Sequence, residues 1–295
     1  MSNNNKQNLF AVCGLLFGAL CWGIIWYPYR LMSEAGVSGI ASSFYTYSIA
    51  LVMGSCIFAR HWRGMLKLPH RAWWLALLAG WTNLSYVLAV IDGEVMRVML
   101  LFYLSPLWTL LLAHFWLKER IHASGYMAIT ISLLGAFIML NDFSGNALPL
   151  PHNHAEWLAL SSGIGFSLAN VVTRRSSDLS LATKSMLVWI GVVGVSLLML
   201  PWVGTKFPSP DFFSISQWQI MFVIALLLML ATIFVQYGVT QMTAVRASVL
   251  FLFELVVAAI ASYYLAHEAM VWNEWIGGSM IVAAGLISAM QRNNA

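Results

Sequence analysis

The sequence predicts an all-α polytopic membrane protein with ten transmembrane helices. Two compositional observations favour this class: 60% of the 295 residues are hydrophobic and only 9% are charged, and the mean hydropathy is +0.78. A water-soluble globule of this size has too little interior to bury that much apolar surface. The third observation is that the apolar residues form long unbroken runs, whereas a membrane β-barrel alternates apolar and polar residues.

Ten apolar runs are long enough to cross a hydrocarbon core, which takes about 20 helical residues. We interpret the first run as a helix and not as a cleaved signal peptide, because no small-residue cleavage site follows it. The predicted spans one to ten are Leu9–Tyr27, Gly39–Ala59, Ala72–Ile91, Val98–Leu117, Ala123–Leu140, Glu156–Thr173, Thr183–Val203, Gln217–Thr240, Ala247–Ala266 and Trp272–Met290.

The distribution of Lys and Arg predicts that both termini are cytoplasmic. With the N-terminus inside, the outer side receives only Arg30, Arg97 and Lys206 of the 15 Lys and Arg residues, and the inner side receives the rest. Cytoplasmic loops of membrane proteins carry such an excess. We therefore expect an integral protein of a bacterial inner membrane. The net charge of +4 reflects this loop asymmetry and not a nucleic-acid partner.

Spans four and five resemble spans nine and ten. Matching residues are 149 positions apart: Arg97 and Arg246, and Glu119 and Glu268. The similarity predicts two five-helix domains, 1–147 and 148–295, and an odd number of spans makes the second domain inverted relative to the first. Inverted repeats are typical of transporters whose substrate site lies near the membrane midplane. The alternative is that two apolar helical hairpins look alike by composition alone.

Short motifs follow one another in order along the spans: Gly18-Ala19-Leu20-Cys21-Trp22-Gly23, Leu104-Ser105-Pro106, Lys118-Glu119, Ser167-Leu168-Ala169-Asn170, Phe253-Glu254-Leu255 and His267-Glu268. In this order and spacing the chain resembles the EamA-type family of the drug/metabolite transporter superfamily over nearly its whole length. Leu255 stands where that family commonly has Pro, and His267 where it usually has Gly. The resemblance implies a ten-helix basket around a central cavity that exports metabolites, often amino acids or related compounds.

Glu254 is the sharpest candidate for a functional residue, because it is the only acidic residue well inside a predicted span. A charge inside the membrane is costly and normally faces a cavity or a partner. Three interpretations remain open: a proton-coupling site, an anchor for a cationic amine, or a carboxyl that binds a neighbouring helix for structural reasons.

Aromatic residues inside the spans and buried amides are the other candidates for a substrate site. Aromatic rings with a polar edge can line a pocket or hold an ammonium group, and amides in lipid need hydrogen-bond partners. The alternative is ordinary packing or a bond to another helix. The candidates that accompany Glu254 are Trp22, Trp26, Tyr45, Trp81, Asn83, Tyr86, Tyr103, Asn170, Gln236 and Tyr237.

Three further features carry structural expectations. Ser105-Pro106 predicts a kink in span four, since Pro removes a backbone hydrogen bond. Arg30 is interpreted as an interfacial residue with Glu34 four positions away, or as a carboxylate clamp at the outer mouth. The H-x-H-x-E run that ends at Glu156 is interpreted as solvated loop sequence and not as a metal site.

The sequence therefore predicts a secondary transporter that exports small polar metabolites, most plausibly amino acids or related amines, by alternating access. One alternative is a transporter of the same fold for nucleosides, sugar conjugates or cationic drugs, and another is a membrane enzyme or receptor. Motifs for nucleotide binding or hydrolytic chemistry are absent from the sequence, so we expect no enzyme activity, cofactor or metal. The expected partners are a small-molecule substrate, membrane lipid and, as a candidate coupling ion, protons. The oligomeric state stays open.

Overall fold

The computed structural model describes residues 3–65, 68–118, 123–140, 150–203, 208–242, 247 and 250–289. Every regular element in these ranges is helical, as predicted. The helices are α1 (Asn3–Glu34), α2 (Gly39–Ile57), α3 (Trp62–Met65), α4 (His70–Asp92), α5 (Val95–Phe102), α6 (Ser105–Leu117), α7 (Ala123–Leu140), α8 (His154–Arg175), α9 (Leu181–Val203), α10 (Ile215–Gln241), α11 (Leu252–Ala261) and α12 (Trp272–Ala289).

The helices agree with the ten predicted spans, with one span divided into α5 and α6 and with α3 as a short extra turn in a loop. Six segments are long and apolar enough to cross a membrane by length and composition: Leu9–Glu34, Gly39–Ile57, His70–Asp92, Val95–Trp116, Leu181–Met199 and Ile215–Gln241. Shorter apolar helices lie at Gly125–Gly135 and Phe253–Ala266. The chain is therefore an integral membrane protein built from apolar helices.

Helix α8 is more polar than the other long helices because it packs against protein along much of its length. Its buried positions include Ser162, Gly163, Gly165, Ser167 and Asn170, and its neighbours are α4, α5 and α6. Small and hydroxylated residues let helix backbones approach closely and supply hydrogen bonds between helices. Such a helix is held by its neighbours, so its own hydropathy is a weak guide to its position.

Contacts between the helices follow a regular pattern. Helix α1 packs against α10 and α11, whereas α8 packs against α4 and α6. Helix α2 packs against α9 and α10, and α4 also packs against α9. The last pair, α7 and α12, is joined by the most extensive contact of all. The bundle thus has α1, α4, α8 and α10 around its centre, and α7 with α12 at its edge.

Glycines mark the closest helix approaches. A Cβ atom on Gly14 would lie 3.3 Å from the Phe234 carbonyl oxygen, and one on Gly18 would collide with the Val235 side chain. A Cβ atom on Gly135 would lie 2.7 Å from the carbonyl oxygen of Gly277. These positions lie at the contacts of α1 with α10 and of α7 with α12, so the small residues serve close packing.

Two helices are interrupted near the middle of the bundle. The chain leaves helical geometry at Tyr103 and Leu104, directly before Ser105-Pro106, so the expected break in span four is present. A second interruption lies at Phe251, directly before α11. This second interruption is mild: Phe251 keeps near-helical φ of −66° and ψ of −19°, and the Glu254 N–H bonds to the Phe251 carbonyl oxygen three residues earlier. Leu255, which stands where the family commonly has Pro, lies in the regular helix that follows.

The ends of α6 and of the π-helical turn Ser262–Ala266 have the same unusual backbone. Lys118 has φ of 56° and His267 has φ of 55°, the left-handed conformation that closes a helix and favours glycine. This geometry explains why the resemblance puts Gly at the position of His267. Glu119 and Arg246, two of the predicted repeat residues, lie outside the described residues.

Candidate functional site

Glu254 lies in the first turn of α11, directly after the interruption at Phe251, and it is only 4% exposed. The side chains of Tyr86 on α4 and of Tyr103 lie next to its carboxyl group, and the Tyr86 hydroxyl lies 2.9 Å from Sδ of Met99. Tyr103 also donates to the carbonyl oxygen of Phe251 at 3.0 Å, a carbonyl next to the helix break. The carboxyl therefore lies in a cluster of phenols drawn from two other parts of the chain.

This carboxyl lines one of two adjoining lobes of a cavity between the central helices. Each lobe has a volume of about 60 Å³, which holds a few water molecules. We call the first the Glu254 lobe; it is lined by Trp22, Thr82, Asn83, Tyr86, Phe102, Phe166, Val235, Phe251 and Glu254. We call the second the amide lobe; it is lined by Trp22, Ala79, Thr82, Asn83, Phe166, Ala169, Asn170, Thr173, Val188, Thr232, Val235 and Gln236.

The two lobes differ in their polar chemistry. The Glu254 lobe has a carboxyl group and a phenol, and Glu254 is the one charged residue among the lining residues of either lobe in the described part of the chain. The amide lobe is polar but uncharged. There the side-chain atoms Nδ2 of Asn170, Oε1 of Gln236 and Oγ1 of Thr82 are buried, with no hydrogen-bond partner among the described residues.

Asn83 lines both lobes, but its amide is engaged by protein. Its Nδ2 donates to the carbonyl oxygen of Ala79 at 2.7 Å, and its Oδ1 accepts from the hydroxyl of Tyr47, also at 2.7 Å. Tyr47 is fully buried on α2. Asn83 therefore ties α2 to α4 and forms part of the rigid wall of the cavity.

One end of the bundle is closed by an ion pair, and we call it the Arg30 end. The guanidinium of Arg30 donates to Oε1 of Glu268 at 2.9 Å and to the carbonyl oxygens of Val90 at 2.8 Å and Gly93 at 2.5 Å. The other carboxylate oxygen of Glu268 accepts from the backbone N–H of Val95 at 2.9 Å. This network joins α1, the end of α4, the start of α5 and the segment after the π-helical turn. The interpretation of Arg30 as an interfacial residue beside Glu34 is wrong, because its guanidinium binds a residue 238 positions away.

A second ion pair lies at the start of α8. Nε of Arg97 lies 2.6 Å from Oε1 of Glu156, and Glu156 is only 3% exposed. The same carboxylate accepts from the backbone N–H of His152 at 2.8 Å and from the Asn153 side chain at 3.1 Å. The interpretation of Glu156 as solvated loop sequence is therefore wrong, since it is buried and pairs with Arg97.

At the opposite end of the bundle, which we call the Arg174 end, an arginine also binds the end of a helix. The guanidinium of Arg174 donates to the carbonyl oxygens of Thr240 and Met242 at the end of α10. The ammonium of Lys184 lies 3.1 Å from the hydroxyl of Thr240. An exposed ion pair at this end joins Arg71 to Asp178 at 2.6 Å.

Comparison with known proteins identifies the family. The model of the EamA-like transporter family matches residues 9–141 and again residues 154–290. The chain belongs to the EamA-like transporter family. It is 23% identical to Protein RarD of Streptomyces exfoliatus over 303 residues, which cover 97% of this chain and 90% of that protein. It is 24% identical over 218 residues to an uncharacterized transporter of Archaeoglobus fulgidus, covering 72% of this chain and 74% of the relative.

The fold of this family member also matches a solved structure. A protein crystal structure aligns with a TM-score of 0.67 and 16% sequence identity, covering 94% of this chain and 95% of that chain. At this identity the likeness concerns the fold alone. Membership of the family, together with the named relatives, identifies a membrane transport protein.

The structure brings most of the predicted site residues of this EamA-like protein together. Trp22, Asn83, Tyr86 and Glu254 line the Glu254 lobe. The amide lobe adds Asn170 and Gln236, and Tyr103 lies beside Glu254 through its hydroxyl group. These residues come from α1, α4, α8, α10 and α11 and from the turn between α5 and α6.

Four other predicted residues lie away from both lobes. Trp26 is fully buried, donates to the Gly23 carbonyl oxygen at 3.0 Å and stacks beneath the Arg30 guanidinium. The hydroxyl of Tyr45 donates to the Pro208 carbonyl oxygen at 2.6 Å. The other two residues pack against apolar side chains: Trp81 is partly buried against the main hydrophobic core, and the Tyr237 ring packs edge-on against Phe10.

Sequence reasoning missed the apolar wall of the cavity, because a buried Phe or Val looks like any lipid-facing residue in one sequence. One signal was available. Phe102 and Phe251, which both line the Glu254 lobe, are 149 positions apart, the separation already noted between matching residues of the two segments. Thr82 and Thr232 are separated by 150 positions and both line the amide lobe.

Proposed function

We propose that this EamA-like protein is a secondary transporter that exports small polar molecules carrying an amine group, amino acids or related amines, by alternating access. The observation that carries this proposal is the cavity itself, with one buried carboxyl group among aromatic walls. A buried carboxylate surrounded by rings attracts an ammonium group, through its charge and through cation–π contact. A substrate that is only an anion would meet repulsion from Glu254.

The contact pattern supports two inverted five-helix halves. Shifting each helix by five spans converts the contact of α1 with α10 into that of α8 with α4, and the contact of α1 with α11 into that of α8 with α6. It also converts α2 with α10 into α9 with α4. A pseudo-two-fold arrangement of this kind is the usual basis of alternating access around a fixed site.

The arginines at the two ends support the same proposal. Arg30 ends α1 and binds carbonyl oxygens at the end of α4, whereas Arg174 lies near the end of α8 and binds carbonyl oxygens at the end of α10. Each arginine thus binds the end of the helix two spans later in its own half. With both termini cytoplasmic, as the Lys and Arg distribution predicts, the closed Arg30 end faces outward.

The size of the lobes supports a gated mechanism. A volume of about 60 Å³ in each lobe accommodates a few waters and is too small for an amino acid. Loading therefore requires helices to move apart. Since the Arg30–Glu268 network joins both halves, we propose that it breaks when the cavity opens to the outer side.

The test is transport by purified protein in proteoliposomes. We expect Glu254→Gln to lower both gradient-driven uptake and exchange of a labelled amine or amino acid by about tenfold or more, because the neutral amide no longer attracts the ammonium group. Glu34→Gln is the matched control, since Glu34 is exposed at the end of α1. Its transport should equal that of the wild type.

A second role for Glu254 is proton coupling, which its position among the Tyr86 and Tyr103 hydroxyls favours. This role predicts a different result in the same assay: Glu254→Gln loses uptake driven by a pH gradient but keeps exchange. Equal flux by wild type and Glu254→Gln under both conditions contradicts both roles.

A further inference from the structure

We propose that the amide lobe binds a neutral group that both donates and accepts hydrogen bonds, the chemistry of a carboxamide, so that the preferred substrate is an amine with a carboxamide at its other end. This inference rests on the proposed function, in which the amine occupies the Glu254 lobe. It narrows the substrate class from amino acids and amines in general to amino amides.

Three buried atoms of the amide lobe lack partners among the described residues. They are a donor, Nδ2 of Asn170, an acceptor, Oε1 of Gln236, and the hydroxyl oxygen of Thr82. The side chains are 5%, 8% and 6% exposed, respectively. Buried polar groups in native proteins are almost always hydrogen-bonded, so a cluster of unpaired ones around a cavity indicates a site that water fills and a ligand can replace.

Asn83 provides a comparison within the same lobe. Its amide nitrogen and oxygen are both engaged, by the Ala79 carbonyl and the Tyr47 hydroxyl. An amide that serves only to join helices is satisfied by the protein in this way. Asn170 and Gln236 face the same lobe with a donor and an acceptor that have no partner within the described ranges of the chain, so their amides are available to a ligand.

The charges around the lobe favour a neutral ligand group over a carboxylate. None of the described residues that line the amide lobe is charged. The nearby cations are engaged elsewhere: Arg174 donates to the Thr240 and Met242 carbonyl oxygens, and Lys184 lies at the Thr240 hydroxyl. A carboxylate in this lobe would lose its hydration without gaining an opposite charge. The free acceptor Oε1 of Gln236 would also face its negative oxygens.

Adjoining lobes with different chemistry select a molecule with two different polar ends. Tyr86 and Gln236 are 150 positions apart and so occupy matching places in the two proposed halves. They nevertheless line different lobes, Tyr86 the Glu254 lobe and Gln236 the amide lobe. The shared wall between the lobes includes Trp22 and Phe166. An apolar or aromatic side group on the substrate would pack there.

The test compares three probes that share a ring and an amine: L-phenylalaninamide, L-phenylalanine and phenethylamine. Binding to the purified full-length protein in lipid nanodiscs is measured by calorimetry. We expect wild type to bind phenylalaninamide about tenfold or more tightly than either of the others. Asn170→Ala and Gln236→Leu should each reduce this preference for the amide to about threefold or less, with little change for phenethylamine.

Two variants separate the inference from the proposed function. Glu254→Gln should weaken binding of phenylalaninamide and phenethylamine alike. Ser196→Ala should change neither, because the Ser196 hydroxyl is buried outside both lobes and has no partner among the residues that the structure describes. Binding of phenethylamine that depends on Glu254, without preference for the amide, overturns the inference and leaves the proposed function standing. Failure of folded wild type to bind any of the three probes overturns both. Asn170 and Gln236 lie on different helices. If one of the two variants fails to fold, the other therefore still tests the inference.

Discussion

Three carboxylates in this protein, two of them buried and the third about four-fifths buried, each have a different kind of partner. Glu254 lies among phenol hydroxyls, Glu268 pairs with Arg30 and a backbone N–H, and Glu156 pairs with Arg97 while it also accepts from its own helix start. Removing one partner of a buried ion pair lowers the free energy of unfolding by more than the pair contributes to it, because the remaining charge is left desolvated and unpaired. The surroundings of each carboxylate therefore determine what its mutation will do.

At the level of single residues, we predict that His267→Gly stabilises the protein by about 0.5–1 kcal/mol. His267 has φ of 55° and is exposed. A glycine there avoids the contact of Cβ with the backbone that left-handed geometry imposes on other residues. The measurement is the apparent free energy of unfolding in a denaturant titration of the detergent-solubilised protein.

The matched control for His267→Gly is Ala266→Gly, one residue earlier in the π-helical turn. Ala266 is not among the described residues with positive φ, so glycine should destabilise there through its greater freedom in the unfolded chain. A lower stability for His267→Gly than for wild type would contradict the backbone argument.

At the level of the helices, carbonyl oxygens beside the two interruptions accept hydrogen bonds from side chains of other segments. The carbonyl oxygen of Phe251 accepts from the Glu254 backbone N–H at 2.9 Å and also from the Tyr103 hydroxyl, and that of Ser105 accepts from the Ser167 hydroxyl at 2.8 Å. Such hydrogen bonds between helices hold a membrane bundle together. The breaks thus join α5, α6, α8 and α11 at the place where the cavity forms.

The network at the Arg30 end makes a prediction about helix ends. In a double-mutant cycle of Arg30→Gln and Glu268→Gln, we expect a coupling free energy of about 1–3 kcal/mol in unfolding, since both side chains are about four-fifths buried. The exposed pair of Arg71 and Asp178 is the control and should give less than about 1 kcal/mol.

Reversal of the pair, Arg30→Glu with Glu268→Arg, should not restore stability. Arg30 also donates to the carbonyl oxygens of Val90 and Gly93, and a carboxylate in its place has no proton to donate. Full recovery in the reversed protein would show that charge alone joins these helices. A coupling free energy close to zero in the original cycle would contradict the interpretation that the ion pair closes this end of the bundle.

At the level of the whole molecule, we predict opposite sidedness for the two ends of the bundle. With the three native cysteines replaced by alanine, Glu34→Cys should react with a membrane-impermeant maleimide in intact cells. Ser177→Cys should react only after the membrane is opened. Both positions are exposed, at the Arg30 end and the Arg174 end. Labelling of both from the same side would contradict the proposed orientation, and reversed labelling would invert it.

Much of the architecture follows from the chemistry of the chain before any contact is known. A long apolar run in lipid must be helical, because only a helix satisfies all its backbone groups within the segment. The all-helical class could therefore be predicted, and the order of the short motifs indicated the family. The position of Glu254 inside a span and the break at Ser105-Pro106 could also be predicted, because a carboxyl group or a proline stands out within an apolar run. The proposed halves, their orientation and the substrate remain predictions.

The meeting of side chains from distant spans depends on how the helices cross and rotate. Arg30 binds a carboxylate 238 positions away in preference to Glu34 one turn along its own helix, and no local pattern indicates that choice. The same is true of the cavity, whose polar atoms come from α4, α8, α10 and α11. Of three amides with the same appearance in the sequence, packing satisfies Asn83, whereas Asn170 and Gln236 each keep a polar atom that no residue in the described part of the chain binds. Which polar groups find partners, and which face a cavity, is decided by the close packing of helices in three dimensions.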